Sequence, residues 1–355
     1  MSKFLSNRFD SLDAYVPGEQ PSALEYIKLN TNESPFAPPD SVLKAANSEL
    51  GKLQLYPNPD GSTLINKLAC LYDVEPENVI IGNGSDELLA FAFLAFLENG
   101  VVFPDITYGF YPVYAKLYDV PFREIPVLDD MTVNVGDYEA IGKNVVLANP
   151  NAPTGIALGL NEIEIIARSN PGFVVVIDEA YVDFGAESAV KLTQKYENLL
   201  VIHTYSKSRS MAGARLGYAI GQASLIKDLN KMKYSFNPYN VNRLTQALGV
   251  AALDEEEFFV EKRREIISVR ENTEKRLKEL GFLLTDSKAN FLFGRHPGID
   301  GFELYSKLKD MGILIRQWSK PCISDYVRIT VGSKEQMNKL ISAIEQILKE
   351  KRQEI

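Results

Sequence analysis

The sequence predicts an α/β fold: a large domain with a mostly parallel central sheet flanked by helices, followed by a smaller α+β C-terminal domain. Three observations carry this. The apolar runs "NVIIG", "VVF", "KNVVLANP", "GFVVVIDEAY", "LLVIHTYS" and "LGYAIG" lack the polar alternation of a half-solvated strand. They suit strands covered on both faces. Helix-like segments separate them, and strands alternating with helices favour parallel neighbours in an open layer. Beyond Asn240 the texture changes to long charged helical stretches with a few short strands.

The elements follow in chain order. Residues 1–32 show no clear period and read as an arm. Residues 33–240 form the large domain. Within it "NVIIG" is a strand, and "SDELLAFAFLAFLENG" is a helix opened by Ser85 with Asp86 and Glu87 in its first turn, where acidic side chains meet the positive helix end. The strand "VVF", an aromatic-rich segment from Tyr108 to Tyr118 and the four remaining apolar strands follow. Residues 241–355 form the small domain. It opens on "VNRLTQALGVAAL" and "EEFFVEKRREIISVRENTEKRLKELG", stopped at Gly281, where glycine suits a helix end. "ANFLFG", "GILIRQW" and "DYVRITVG" are its strands, and "DGFELYSKLKDMG" and "SKEQMNKLISAIEQILKE" its helices.

Composition narrows the function. The 355 residues are 45% apolar and 24% charged, with a net charge of −9. This is a globular composition with no global attraction for nucleic acid or anionic membrane. Cys70 and Cys322 form no C-x-x-C pair, and the two histidines have no helical pairing, so no metal site is expected. The longest apolar run, "LLAFAFLAFL", is too short to span a bilayer. A cytoplasmic enzyme is the expectation.

Four polar clusters fall where apolar runs end, the usual place for ligands in such sheets. "GNGSDE", residues 82–87, lets Gly84 turn the chain into a helix start, whose free N–H groups suit an anion. "NPNAPTG", residues 149–155, is a rigid loop in which one X-Pro bond is a candidate for cis. "VVVIDEAYVDF" delivers Asp178 at a strand end, with Tyr181 three residues on. A carboxylate there costs desolvation unless it meets a cation or donors. "HTYSKSRSMAGARLG" sets Lys207 past another strand end, with Thr204, Ser206 and Arg215 as a possible anion cradle. Each cluster alone fits an ordinary loop or cap. Together, lysine for an aldehyde, acid for a ring nitrogen and cradle for a phosphate describe a pyridoxal phosphate site.

With these motifs in place, the chain resembles the fold-type-I, aspartate-aminotransferase-like superfamily, and within it the histidinol-phosphate aminotransferase family. "DAYVPGEQ", "IKLNTNESPFAPP", "LYPNPDG", "NPNAPTG", "DEAY", "HTYSKSRSMAGARLG", "ILIRQW" and "VRITVG" lie in the family's order over essentially the whole chain. The resemblance implies that Lys207 carries the cofactor and serves as general base. It pairs Asp178 with the pyridine nitrogen and Tyr181 with the ring 3-oxygen. Gly84, Ser85 and Asp86, with Thr204, Ser206 and Arg215, would hold the phosphate, and Tyr108 would stack on the ring. Tyr56 would reach the phosphate of a neighbouring subunit, which implies a homodimer with shared sites. Ala152 stands where the family usually has a second Asn, so Asn151, a water or Tyr181 alone would serve the 3-oxygen. Arg328 and Arg316 are the cations for substrate carboxylate or phosphate, and Tyr15 and Asn32 match positions that cover the substrate.

The implied reaction interconverts histidinol phosphate and 2-oxoglutarate with imidazole-acetol phosphate and glutamate, a ping-pong transamination of histidine biosynthesis. The nearest alternatives within the superfamily are an aromatic amino-acid aminotransferase, which needs no phosphate recognition, and a threonine-phosphate decarboxylase. A transcription regulator on the same fold would need a DNA-binding domain, for which the residues before the core leave no expected room.

Overall fold

A computed structural model describes residues 4–9, 12–20 and 26–353. In chain order the elements are β1 (Ile27–Lys28), α1 (Asp40–Asn47), α2 (Ser62–Tyr72), β2 (Val79–Gly82), α3 (Ser85–Phe96), β3 (Val101–Pro104), α4 (Phe110–Leu117), β4 (Phe122–Ile125), β5 (Asn144–Ala148), α5 (Leu160–Ser169), β6 (Val175–Asp178), β7 (Leu199–Thr204), β8 (Gly217–Gly221), α6 (Ala223–Phe236), α7 (Arg243–Asp254), α8 (Glu256–Glu279), β9 (Leu283–Leu284), β10 (Phe291–Arg295), α9 (Gly301–Asp310), β11 (Ile313–Leu314), β12 (Arg316–Gln317), β13 (Val327–Thr330) and α10 (Lys334–Gln353).

Seven strands form the large sheet in the order β2-β8-β7-β6-β5-β3-β4. Strands β7, β6, β5, β3 and β4 pair in parallel, and β8 runs antiparallel between β7 and β2. The continuous apolar runs are explained by helices on both faces. Ile81, Val145, Leu147, Val175, Ile177 and Val201 face Leu64 and Leu68 of α2 and Ile163 and Ile166 of α5. Their chain neighbours Ile80, Val146, Val176, Leu200 and Ile202 face Leu88 and Phe91 of α3 and Ile226 and Leu229 of α6. Each such side chain, fully buried, contributes about 1.5–3 kcal/mol from apolar transfer, which fixes the register of the central strands.

The small body has a four-stranded antiparallel sheet, β12-β13-β10-β9, packed on α9 and α10. The arm is stitched into it: β1 pairs in parallel with β11, and Leu29 is buried in the same core. The predicted strand "GILIRQW" is therefore two strands in two sheets, with buried Ile315 between them. The charged helical stretch after Asn240 is likewise two helices. Of these, α7 packs on α1 and α2, and Val241 and Ala252 join the large core, so this segment belongs with the larger body and not with the C-terminal strands. Gly281, with φ +97°, ends α8 as its position suggests. At α3 the N-cap is Gly84 at φ 79°, with Ser85 the first helical residue and no side-chain cap.

Candidate active site

A cavity of about 560 Å³ opens at the carboxyl ends of β5, β6 and β7 and is closed on its far side by the arm and the small body. The alternation of the parallel strands decides what it contains. Asp178 is the last residue of β6, beside Ala148 of β5 and Ile202 of β7. Burial pushes its carboxyl up to about 6, against a donated bond from Tyr111 Oη and another from the Ala180 backbone N–H. Those donors reach Oδ2 at 3.0 Å and Oδ1 at 3.2 Å. No cation pairs with it among the described residues, so a buried acid at the cavity wall lacks the partner that would favour its charged form.

Lys207 enters the cavity from the loop after β7. Its Nζ donates to the Thr31 carbonyl at 3.2 Å and lies 5.6 Å from the centroid of the Tyr181 ring. The loop is held on each side. Ser208 Oγ bonds Asp183, and Arg209 Nη2 donates to Glu256 at 2.7 Å. Tyr181 is itself fixed, because Asn32 Nδ2 donates to its Oη at 2.9 Å and Phe291 packs edge-on at 5.1 Å. Asn32 is pinned in turn by Thr330, whose Oγ1 donates to Oδ1 at 3.0 Å.

The cradle forms where α3 begins. Arg215, in the left-handed region at φ 54°, turns its Nη2 to Asp86 Oδ2 at 2.9 Å, and Tyr108 Oη donates to the other oxygen at 2.8 Å. The approach of β8 to this turn needs glycine: a Cβ on Gly217 would lie 2.5 Å from the Ser85 nitrogen. Thr204 Oγ1 and Ser206 Oγ, 2.9 Å apart, complete the rim. Gly84 is held tightly too, since a Cβ there would meet Arg215 Nη2 at 2.7 Å.

Across the cavity, Arg316 and Arg328 sit directly opposite each other on β12 and β13. Arg328 Nη2 donates to the Asn30 carbonyl at 2.9 Å, its Nε is buried without a partner, and burial lowers its guanidinium pKa. Arg316 Nη2 donates to the Val16 carbonyl, at 3.5 Å. Among the described residues neither has a carboxylate partner. Tyr15 lies against Phe110 at 4.2 Å and lines the cavity beside them, and burial raises its phenol.

Thus Ser85, Asp86, Tyr108, Asp178, Tyr181, Thr204, Ser206, Lys207, Arg215, Tyr15, Arg316 and Arg328 line one cavity. Four predicted residues do not: Gly84, which shapes the turn behind Arg215, and Asn151, Asn32 and Tyr56. Asn151 turns inward: its Nδ2 donates to the Ile106 carbonyl at 2.9 Å and Thr154 Oγ1 at 3.1 Å, and its Oδ1 accepts from Thr107 at 2.8 Å. Its carboxamide is spent tying loops together, and cavity-lining Ala152 beside it packs on Ala289 and Phe291. Asn32 stands behind Tyr181. Tyr56 is 75% exposed, stacked on Tyr239 at 4.5 Å on the outer surface. Both Asn149–Pro150 and Ala152–Pro153 are cis. Tyr111 and Trp318 are site residues that sequence reasoning missed. The three-residue spacing of Tyr111 on α4 from Tyr108 just before it is the one signal that could have found the first.

The site suits pyridoxal phosphate on three local features: among the described residues a buried acid without a cation and an amine without a carboxylate partner, and a glycine-shaped helix start with an arginine over it. The histidinol-phosphate aminotransferase of Brachyspira hyodysenteriae is 48% identical over 353 residues, covering 98% of this chain and 100% of its own. That of Marinomonas sp. is 47% identical over 350 residues, covering 97% and 99%. The solved structure of histidinol-phosphate aminotransferase from Sinorhizobium meliloti, in complex with pyridoxal-5'-phosphate, matches the fold with a TM-score of 0.88 at 24% identity, covering 98% of this chain and 100% of that one. Residues 25–344 match the model of aminotransferase class I and II, and the chain belongs to that family.

Proposed function

We propose that this transaminase uses pyridoxal phosphate to interconvert histidinol phosphate and 2-oxoglutarate with imidazole-acetol phosphate and glutamate, in histidine biosynthesis. The observation that carries the reading is the pairing, across one cavity, of Lys207 and Asp178 with two arginines that no carboxylate among the described residues neutralises. The near-half identity with histidinol-phosphate aminotransferases over the full length supports the substrate.

When bound, the cofactor supplies an aldehyde that accepts the amino group and a ring that withdraws electrons from the carbon bearing it. The residues of the chain do the rest. Lys207 would hold the aldehyde, and its Nζ, when free, would be the base for the proton on the substrate's amine-bearing carbon. Asp178 would serve the ring nitrogen and favour its protonated form. Tyr181, oriented by Asn32, would donate to the ring oxygen. The α3 start, Thr204, Ser206 and Arg215 would bind the cofactor phosphate, and Tyr108 would cover the ring. Arg316 and Arg328 take the substrate phosphate in one half-reaction and a glutamate carboxylate in the other, since a guanidinium forks onto either anion. Tyr15 shuts the cavity over the substrate.

A homodimer with shared sites is part of this proposal. Leu53, Leu55, Tyr56 and Phe236 are each more than half exposed, an apolar surface that a second copy would cover and that would bring Tyr56 to the partner's phosphate cradle. Exposed, unpaired Cys70 and Cys322 suit a reducing cytoplasm. No helix among the described residues is long and apolar enough to cross a membrane. Incubation with histidinol phosphate and 2-oxoglutarate should yield glutamate in proportion to enzyme, and absence of glutamate with cofactor-loaded protein removes the assignment.

A further inference from the structure

We propose that Trp318 is the positioning residue of the substrate anion pocket: its indole takes the place of a carboxylate, holding Arg316 and Arg328 side by side without neutralising them. The inference rests on the reading of those two arginines as the substrate's anion site.

The difficulty it resolves is electrostatic. Arg316 and Arg328 are register partners on adjacent antiparallel strands, where like charges repel. Arg328 is also desolvated, which weakens its charged form. An aspartate between them would relieve both costs and would also occupy the pocket with a permanent competitor for substrate. The structure has an aromatic ring there. The Trp318 ring centroid is 5.4 Å from the Arg328 guanidinium carbon and 5.7 Å from that of Arg316. Phe291 adds a second ring at 5.3 Å from Arg328. Cations within about 6 Å of a ring are attracted by its quadrupole, and the guanidinium N–H groups stay free to donate. The indole lines the same cavity.

The ring is itself held in place. Its edge meets Phe293 at 6.0 Å and 76°, and Phe293 stacks on Tyr326 at 4.9 Å. Gln317 Nε2 donates to the carbonyls of Trp318, at 2.5 Å, and Ser324, at 2.9 Å, closing the loop that carries the indole. Trp318 therefore joins a fixed apolar cluster on one side to two guanidinium groups on the other.

The test compares wild type, Trp318→Leu and Trp318→Phe as cofactor-loaded enzymes, with histidinol phosphate as substrate and inorganic phosphate as competitor. Loss of two ring contacts should raise the KM and the phosphate inhibition constant about ten-fold in Trp318→Leu, with kcat within about two-fold. Trp318→Phe, which keeps a π face, should recover most of the loss. An unchanged KM in Trp318→Leu, or equal losses in both variants, overturns the proposal. Trp318 is the single tryptophan of the chain, so wild-type emission reads the same site without a variant. Inorganic phosphate should change that emission saturably, and no change overturns the proposal even if the leucine variant fails to fold. Wild type that shows the emission change but no turnover of histidinol phosphate would remove the substrate reading while leaving Trp318 in its role.

Discussion

Replacing Tyr111 by Phe isolates the control of Asp178. Tyr111 is fully buried among Phe93, Phe103 and Tyr108, and its hydroxyl donates to Asp178 Oδ2 at 3.0 Å. Burial and the adjacent carboxylate push its phenol well above its usual value, so it remains a donor throughout the working range. In the cofactor-free chain Asp178 titrates near 6 against an ordinary 3.8. A folded value raised above the unfolded one means stability that is complete below about pH 4 and lost as pH rises through 6, a loss of about 3 kcal/mol. The Tyr111 bond is worth about 1.5–3 kcal/mol to the ionised acid and about 1 kcal/mol to the neutral one. Its removal should therefore raise the Asp178 value by about one further unit, or about 1.4 kcal/mol. Phe keeps the packing, so the readout is a difference of differences. Urea unfolding of cofactor-free wild type and Tyr111→Phe at fixed protein concentration should show the variant about 1.4 kcal/mol more destabilised at about pH 8 than at about pH 5. A destabilisation that is the same at both pH values would mean that the hydroxyl does not act on the carboxylate charge, and would refute the reasoning.

Three further outcomes are expected. Lys207→Ala should bind cofactor yet lose turnover by at least about 10³-fold, since both the anchoring amine and the proton-moving group are gone; full transamination by that variant, read as glutamate formation, removes the site assignment. Arg328→Gln should lower kcat/KM for histidinol phosphate by about 10²-fold, mostly through KM, because a desolvated charged donor is lost. Steady-state kinetics with an unchanged KM would place the substrate anion elsewhere. Leu53→Glu should shift sedimentation toward the monomer and reduce activity with it, because a carboxylate would be buried in the apolar contact; an active monomer would rule out sites shared between subunits.

The large sheet was legible because both of its faces are covered: strands such as "VVVID" need no polar alternation, and their ends mark where Asp178 and Lys207 emerge. Strand β4 left no such mark. It is an edge strand whose Phe122, Arg123 and Glu124 are exposed, so its composition looks like that of a loop. The division of "GILIRQW" between two sheets depends on the arm returning to pair with Ile313, a contact between residues far apart in sequence. The same limit applies to α7, whose apolar stripe could have faced either body and packs on α1. Within the site, residue types fixed the chemistry, but orientation decided the membership. Asn151 occupies a motif position and yet points its carboxamide into the loop, while Tyr111, three residues after Tyr108, reaches the acid from within the core.

The most direct measurement is a single-turnover comparison of amino donors. Cofactor-loaded enzyme is mixed separately with histidinol phosphate, an aromatic amino acid and threonine phosphate, and the absorbance of the aldehyde form of the cofactor is followed to its amine form. The arginine pair and the full-length similarity predict fastest conversion by histidinol phosphate, with no release of carbon dioxide from threonine phosphate. Slowest conversion by histidinol phosphate would contradict the account of the substrate.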